Sequence, residues 1–136
     1  MEYKKTINKL TITMVVISTI SFFLSSPISN GLCSDTDTSC GYLLSDTIGI
    51  PAFFFSLVIL GLLCILRFMS ESVFWSWSRF GALYIFITII LLSLFPVTSG
   101  SLIPLDKKFM SEFLAGLFLI ISLILIAYKQ FHRRAK

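Results

Sequence analysis

The sequence predicts an all-α, polytopic membrane protein: a four-helix transmembrane bundle with short loops, forming a single transmembrane domain over residues 1–136. Three observations predict it. Of the 136 residues, 56% are hydrophobic and only 13% are charged, whereas a water-soluble domain carries roughly 25% charged residues. The charges stand at the edges of long apolar runs rather than within them. Four of those runs reach the about 20 residues that a helix rising about 1.5 Å per residue needs to cross a hydrocarbon core roughly 30 Å thick. A soluble enzyme, a disordered tail and a nucleic-acid binder are all disfavoured, despite a net charge of +4.

The first helix is expected at about 10–29, because no charge appears between Lys9 and Asp35. Lys4, Lys5 and Lys9 before an apolar run also suit a secretory signal. However, Ser25-Ser26-Pro27 does not supply the small-residue exit, and Leu32 stands before Cys33 where a lipoprotein cleavage site needs a small residue. The run therefore reads as a permanent helix. The second helix, 47–66, lies between Asp46 and Arg67; the third, 81–98, follows Arg79; the fourth, 109–128, carries Glu112 in its first turn, where a carboxylate favours the helix dipole. Outer loops are expected at 30–46 and 99–108, and an inner loop at 67–80. An open sheet in lipid would leave backbone groups unpaired, and a barrel would need alternating polarity that these runs lack.

Basic residues set the orientation. With the N-terminus inside, the inner flanks hold Lys4, Lys5, Lys9, Arg67, Arg79, Lys129, Arg133, Arg134 and Lys136, and the outer flanks only Lys107 and Lys108. Five of the seven acids fall outside. The expectation is a multi-pass protein of a bacterial inner (cytoplasmic) membrane with both termini cytoplasmic, so that +4 is an orientation signal and not a footprint for nucleic acid.

On that topology Cys33 and Cys40 face an oxidising compartment, where a disulfide is the default. The bridge reads either as a structural clip or as a redox-active pair, and the adjacent Asp35 and Asp37 disfavour the thiolate that exchange requires. Cys64, near the inner end of the second helix, is beyond the reach of either cysteine and is expected to be a buried packing thiol. Trp75 and Trp77, with Arg67 and Arg79, read as interfacial anchors. Thr11, Thr13, Ser18, Thr19 and Ser21 suggest hydrogen bonds between helices, and Gly61 and Gly116 suggest close helix approach. The sequence offers no Ser/His/Asp set, phosphate loop or metal-ligand cluster, so no catalytic or metal residue and no cofactor is expected.

Cys33 and Cys40, then Ser45, then Ile48-Gly49-Ile50-Pro51 leading the second helix, resemble in this order the vitamin K epoxide reductase family. The resemblance covers roughly residues 21–60. It implies a four-helix bundle that holds a quinone, with Cys33 and Cys40 passing a disulfide. The family's catalytic C-x-x-C would fall near Phe109-Met110-Ser111-Glu112-Phe113, where there is no cysteine. The resemblance thus implies the scaffold and shuttle loop without the reaction centre.

Three functions are weighed. The first is a non-catalytic protein that acts by contact, as an accessory subunit or an immunity-type protective protein, its partners being the lipid bilayer and another membrane protein or a second copy of itself. The second is a thiol-disulfide exchange partner, the one reading that brings in a quinone. The third is a small transporter or channel subunit, weakened by the absence of ionisable residues at bilayer depth.

Overall fold

The computed structural model describes residues 2–34, 36, 38–94 and 107–134. Its elements are α1 (Glu2–Ser25), α2 (Thr38–Tyr42), a π-helical segment (Leu43–Gly49), α3 (Ile50–Leu66), α4 (Glu71–Leu94) and α5 (Lys107–Arg134). No strand occurs among the described residues. Four stretches are long and apolar enough to cross a membrane: Tyr3–Ser25, Ser39–Leu66, Glu71–Leu94 and Lys107–His132. The chain is a multi-pass, all-helical membrane protein.

The helices outlast the apolar runs that predict them. α1 begins at Glu2 rather than near residue 10, and most of the expected inner loop 67–80 is the first turns of α4. The charges mark where lipid would end, whereas a helix continues as long as its backbone bonds and packing continue. α1 stops earlier than expected, at Ser25, because Pro27 cannot extend it. Its open carbonyls are taken up locally: Asn30 Nδ2 donates to the Phe23 carbonyl at 2.8 Å, and Ser45 Oγ to the Ser25 carbonyl at 3.0 Å. The expected outer loop 30–46 is shorter, since helix resumes at Thr38. The loop expected at 99–108 lies, except for its last two residues, outside the described residues.

The π segment has a local cause. Pro51 offers no N–H, and its ring crowds the carbonyl four residues back. Just before it the Ile50 N–H reaches the Ser45 carbonyl, five residues back, and this wider turn makes room for the ring.

α1 packs on α3, α3 on α5 and α5 on α4; the main backbone approach of α4 is to α5. The Tyr84 hydroxyl donates to the Leu114 carbonyl at 2.9 Å, and Gly81 faces Phe118, which sets α4 and α5 antiparallel. At one end the Tyr3 hydroxyl donates to the Met69 carbonyl at 3.3 Å, bringing the start of α1 to the α3–α4 turn. The beginning of α1 and the end of α5 therefore share this basic end, and Cys33 and Cys40 lie at the other.

Packing is uneven along the bundle. The buried core gathers Ile7, Leu62, Leu63, Leu66, Val73 and Phe74 near the basic end and continues through Trp77 to Phe118. Phe118 is the junction of its aromatic part. Ring centroids of Tyr84, Phe80, Trp77 and Phe55 lie 5.0, 6.0, 6.3 and 6.3 Å from it, the distances at which aromatic pairs attract. Outward-facing positions are apolar too: Ile12, Leu83, Phe86 and Ile124 are all more than 60% exposed. In lipid such exposure costs little, and helix association rests on close packing and hydrogen bonds.

The small residues do not behave as expected. A Cβ at Gly61 or Gly116 would meet nothing within 4 Å, so neither marks a close approach. Gly49 does: its Cβ would fall 2.6 Å from the Leu24 carbonyl carbon and 2.7 Å from the Ser25 nitrogen. Nor do Thr11, Thr13 and Thr19 reach across to other helices. Their hydroxyls donate to the carbonyls of Ile7, Lys9 and Val15 in their own helix, at 2.9, 3.0 and 2.9 Å, the nearest acceptors for a short side chain.

These contacts predict a contrast measurable by thermal unfolding in mild detergent. Gly49→Ala must push two backbones apart and is expected to cost about 1–3 kcal/mol. Gly61→Ala meets open space and gains helix propensity, so it is expected to be neutral or to stabilise by up to about 1 kcal/mol. Equal effects at the two positions would refute the packing of α1 against Gly49.

Candidate functional site

The disulfide end is built from the turn that stops α1. The N–H groups of Leu32 and Cys33 both bond the Pro27 carbonyl, at 2.8 and 3.3 Å, and Asn30 N–H bonds the Ser26 carbonyl at 3.1 Å. Gly31 sits at φ 70°, a left-handed conformation that glycine adopts without penalty. Cys33 leaves this turn bonded to Cys40 of α2, with a Cα–Cα distance of 5.9 Å. α2 then feeds the π segment, whose Ser45 returns to the end of α1. The expected disulfide is present, and it closes a cap anchored at both ends. Both cysteines are half-buried, whereas Ser29, Asn30, Ser34, Thr36 and Ser39 are exposed. The Ser34 and Thr36 hydroxyls lie 3.0 Å apart.

Two hollows adjoin the cap. A polar cleft of about 390 Å³ lies beside it, lined by Ser25, Ser29, Tyr42, Ser45 and Asp46 among others. Below it an apolar cavity of about 600 Å³ opens between α1, α3 and α4. Met14 and Ile17 line it from α1, Phe55 and Ile59 from α3, and Ile85 and Ile89 from α4. Its few polar side chains include Thr47, Thr88, Ser93 and Lys107. The cavity exists because α4 leans on α5 and leaves its other flank open.

The remaining sites expected from the sequence are scattered. Trp75 is exposed, and its indole N–H donates to Glu71 Oε1 at 3.3 Å. Trp77 is not an anchor: it is 5% exposed, packed on Phe118, and its N–H has no partner. Two residues along a helix is about 200°, so the two indoles face opposite ways. Arg67 and Arg79 are exposed at the basic end. Cys64 is exposed rather than buried, on the outer face of α3. Glu112 is exposed, and His132 stacks on Tyr128 with centroids 5.9 Å apart. Phe109 to Phe113 form the opening turns of α5. No group of three or more His, Cys, Asp or Glu is placed to hold a metal among the described residues.

The cavity was not legible in the sequence. Its wall residues are ordinary apolar residues, and only the arrangement of helices makes them a wall. Compared with known proteins, the chain matches no family model, no curated protein and no solved structure.

The cysteine assignment is checked by counting thiols. After unfolding in strong detergent, one thiol per chain is expected to react without reductant and three with it. Replacing both Cys33 and Cys40 by Ser is expected to cost about 2–3 kcal/mol, the chain-entropy value for an eight-residue ring.

Proposed function

We propose that the chain is a small four-span protein of a bacterial inner membrane that acts by contact, as an accessory subunit or an immunity-type protective protein, with the disulfide end outside and both termini in the cytoplasm. The observation that carries this reading is the stapled cap. Its exposed hydroxyls and amide project from a turn, a disulfide and a helix that hold one another in place. A surface already ordered before contact loses little conformational entropy on binding. The orientation is supported by charge: Lys4, Lys5, Lys9, Arg67, Arg79 and Lys129 belong to one end of the bundle, Lys107 and Lys108 to the other.

One observation favours a second reading, thiol-disulfide exchange with a soluble thioredoxin-like protein: the Cys33–Cys40 bridge is partly exposed beside an open polar cleft. A partner thiolate would attack one sulfur to form a mixed disulfide. The partner's second thiol would then release it, leaving the partner oxidised and Cys33 and Cys40 reduced. The quinone that the family resemblance implies does not fit this chain's chemistry. Residues 109–113 supply no cysteine to exchange electrons with it, and no step is routed through a quinone.

Crosslinking in intact cells followed by copurification from mild detergent tests the contact reading. A discrete membrane partner or a homo-oligomer is expected, its recovery lowered by changing Ser34 and Thr36 together to bulky residues. A strictly solitary chain with no deletion or challenge phenotype would sink the proposal. A reporter fused after residue 136 that is active only in an oxidising compartment would overturn the orientation. The Cys33→Ser variant separates the two readings: exchange predicts a trapped mixed disulfide through Cys40, and contact predicts none.

A further inference from the structure

The cavity between α1, α3 and α4 is elongated. Along the π segment and α3 its lining runs from Thr47 to Ile59, twelve positions and so roughly 18 Å along the helix axis. Its volume, about 600 Å³, falls in the roughly 300–1,000 Å³ range of small-molecule sites. The walls are apolar along most of this length, and the polar groups are not spread evenly. Thr47, Ser93 and Lys107 gather at the disulfide end. Lys107 is half-buried there, and the Thr47 hydroxyl is buried without a hydrogen-bond partner. No acid lines the cavity among the described residues.

In a membrane an apolar slot has no preference for a hydrocarbon chain over the surrounding lipid tails, which are equally apolar. Any selectivity must come from the polar end. Among the described residues that end offers one half-buried cation and one unpaired hydroxyl donor, and a partly desolvated ammonium gains from a counter-charge. A carboxylate supplies the counter-charge and accepts both hydrogen bonds, and charge-assisted bonds of this kind are the strong ones. We propose that this cavity binds a long-chain carboxylate, its hydrocarbon chain lying along the α3–α4 shaft and its carboxylate held by Lys107 and Thr47. The site is separate from the cap and does not depend on the contact function.

The full-length protein in nanodiscs of neutral phosphatidylcholine, labelled with a diazirine analogue of palmitate, tests the site. Labelling is expected on peptides that carry the cavity walls of α3 and α4. Excess palmitate should suppress it, and methyl palmitate, which has the same chain without the charge, should not. Lys107→Gln should weaken palmitate competition roughly tenfold, the loss of one charge-assisted bond. Ala52→Phe, which fills the slot, should abolish cavity labelling while leaving labels on the outer faces. Because that variant could also fold poorly, its thermal unfolding and its disulfide are measured alongside, and Lys107→Gln gives an independent reading. The proposal fails if methyl palmitate or a short-chain quinone competes as well as palmitate, or if Lys107→Gln changes nothing. It fails equally if phosphatidylglycerol displaces the label as well as palmitate, since the site would then take a two-chain lipid.

Discussion

Phe118 is the contact on which the rest of the bundle depends. α4 reaches the other helices chiefly through α5, and where the two meet, Phe118 lies against the face of Gly81 with rings from Trp77, Phe80 and Tyr84 around it. Phe55 brings α3 to the same ring. In lipid there is no general hydrophobic force to hold helices together. A fully buried aromatic side chain that joins its own helix to two others therefore does much of what a whole core does in water.

At the other end the bundle is held by different means. There the ties are local ones: the Gly49 backbone against the last turn of α1, the Ser45 hydroxyl on its open carbonyl, and the disulfide joining turn to α2. Such contacts fix α1 relative to α3 without filling the space toward α4. The cap and the cavity thus follow from one arrangement, in which α1 and α3 are tied by glycine and hydrogen bonds while α4 is tied by aromatic packing elsewhere.

The fold class was legible because lipid imposes it: apolar runs of spanning length with charges at their edges admit few solutions. The Cys33–Cys40 bridge was legible too, because the charge asymmetry predicted an oxidising side for its loop, where a disulfide is the default. Helix ends were less so, since charges near Lys9 and Arg79 report depth and not helix termination. Residue facing was the least legible. Cys64 reads as a packing thiol and Trp77 as an anchor only if the rotation of their helices is guessed, and in runs that are apolar all round no periodic stripe fixes that rotation. The threonines of α1 could not be distinguished from interhelical donors, because satisfying a neighbouring turn and satisfying a neighbouring helix require the same side chain.

The wide turn before Pro51 gives the second span an unusual mechanical character. A π turn carries an extra residue per turn, so shortening it to ordinary α geometry would rotate everything before it by about 100° relative to α3. Ser45, Gly49 and α2 would then swing off the end of α1, carrying Cys40 with them. The disulfide ties Cys40 to the turn that follows α1 and so stands as a covalent strut against that rotation.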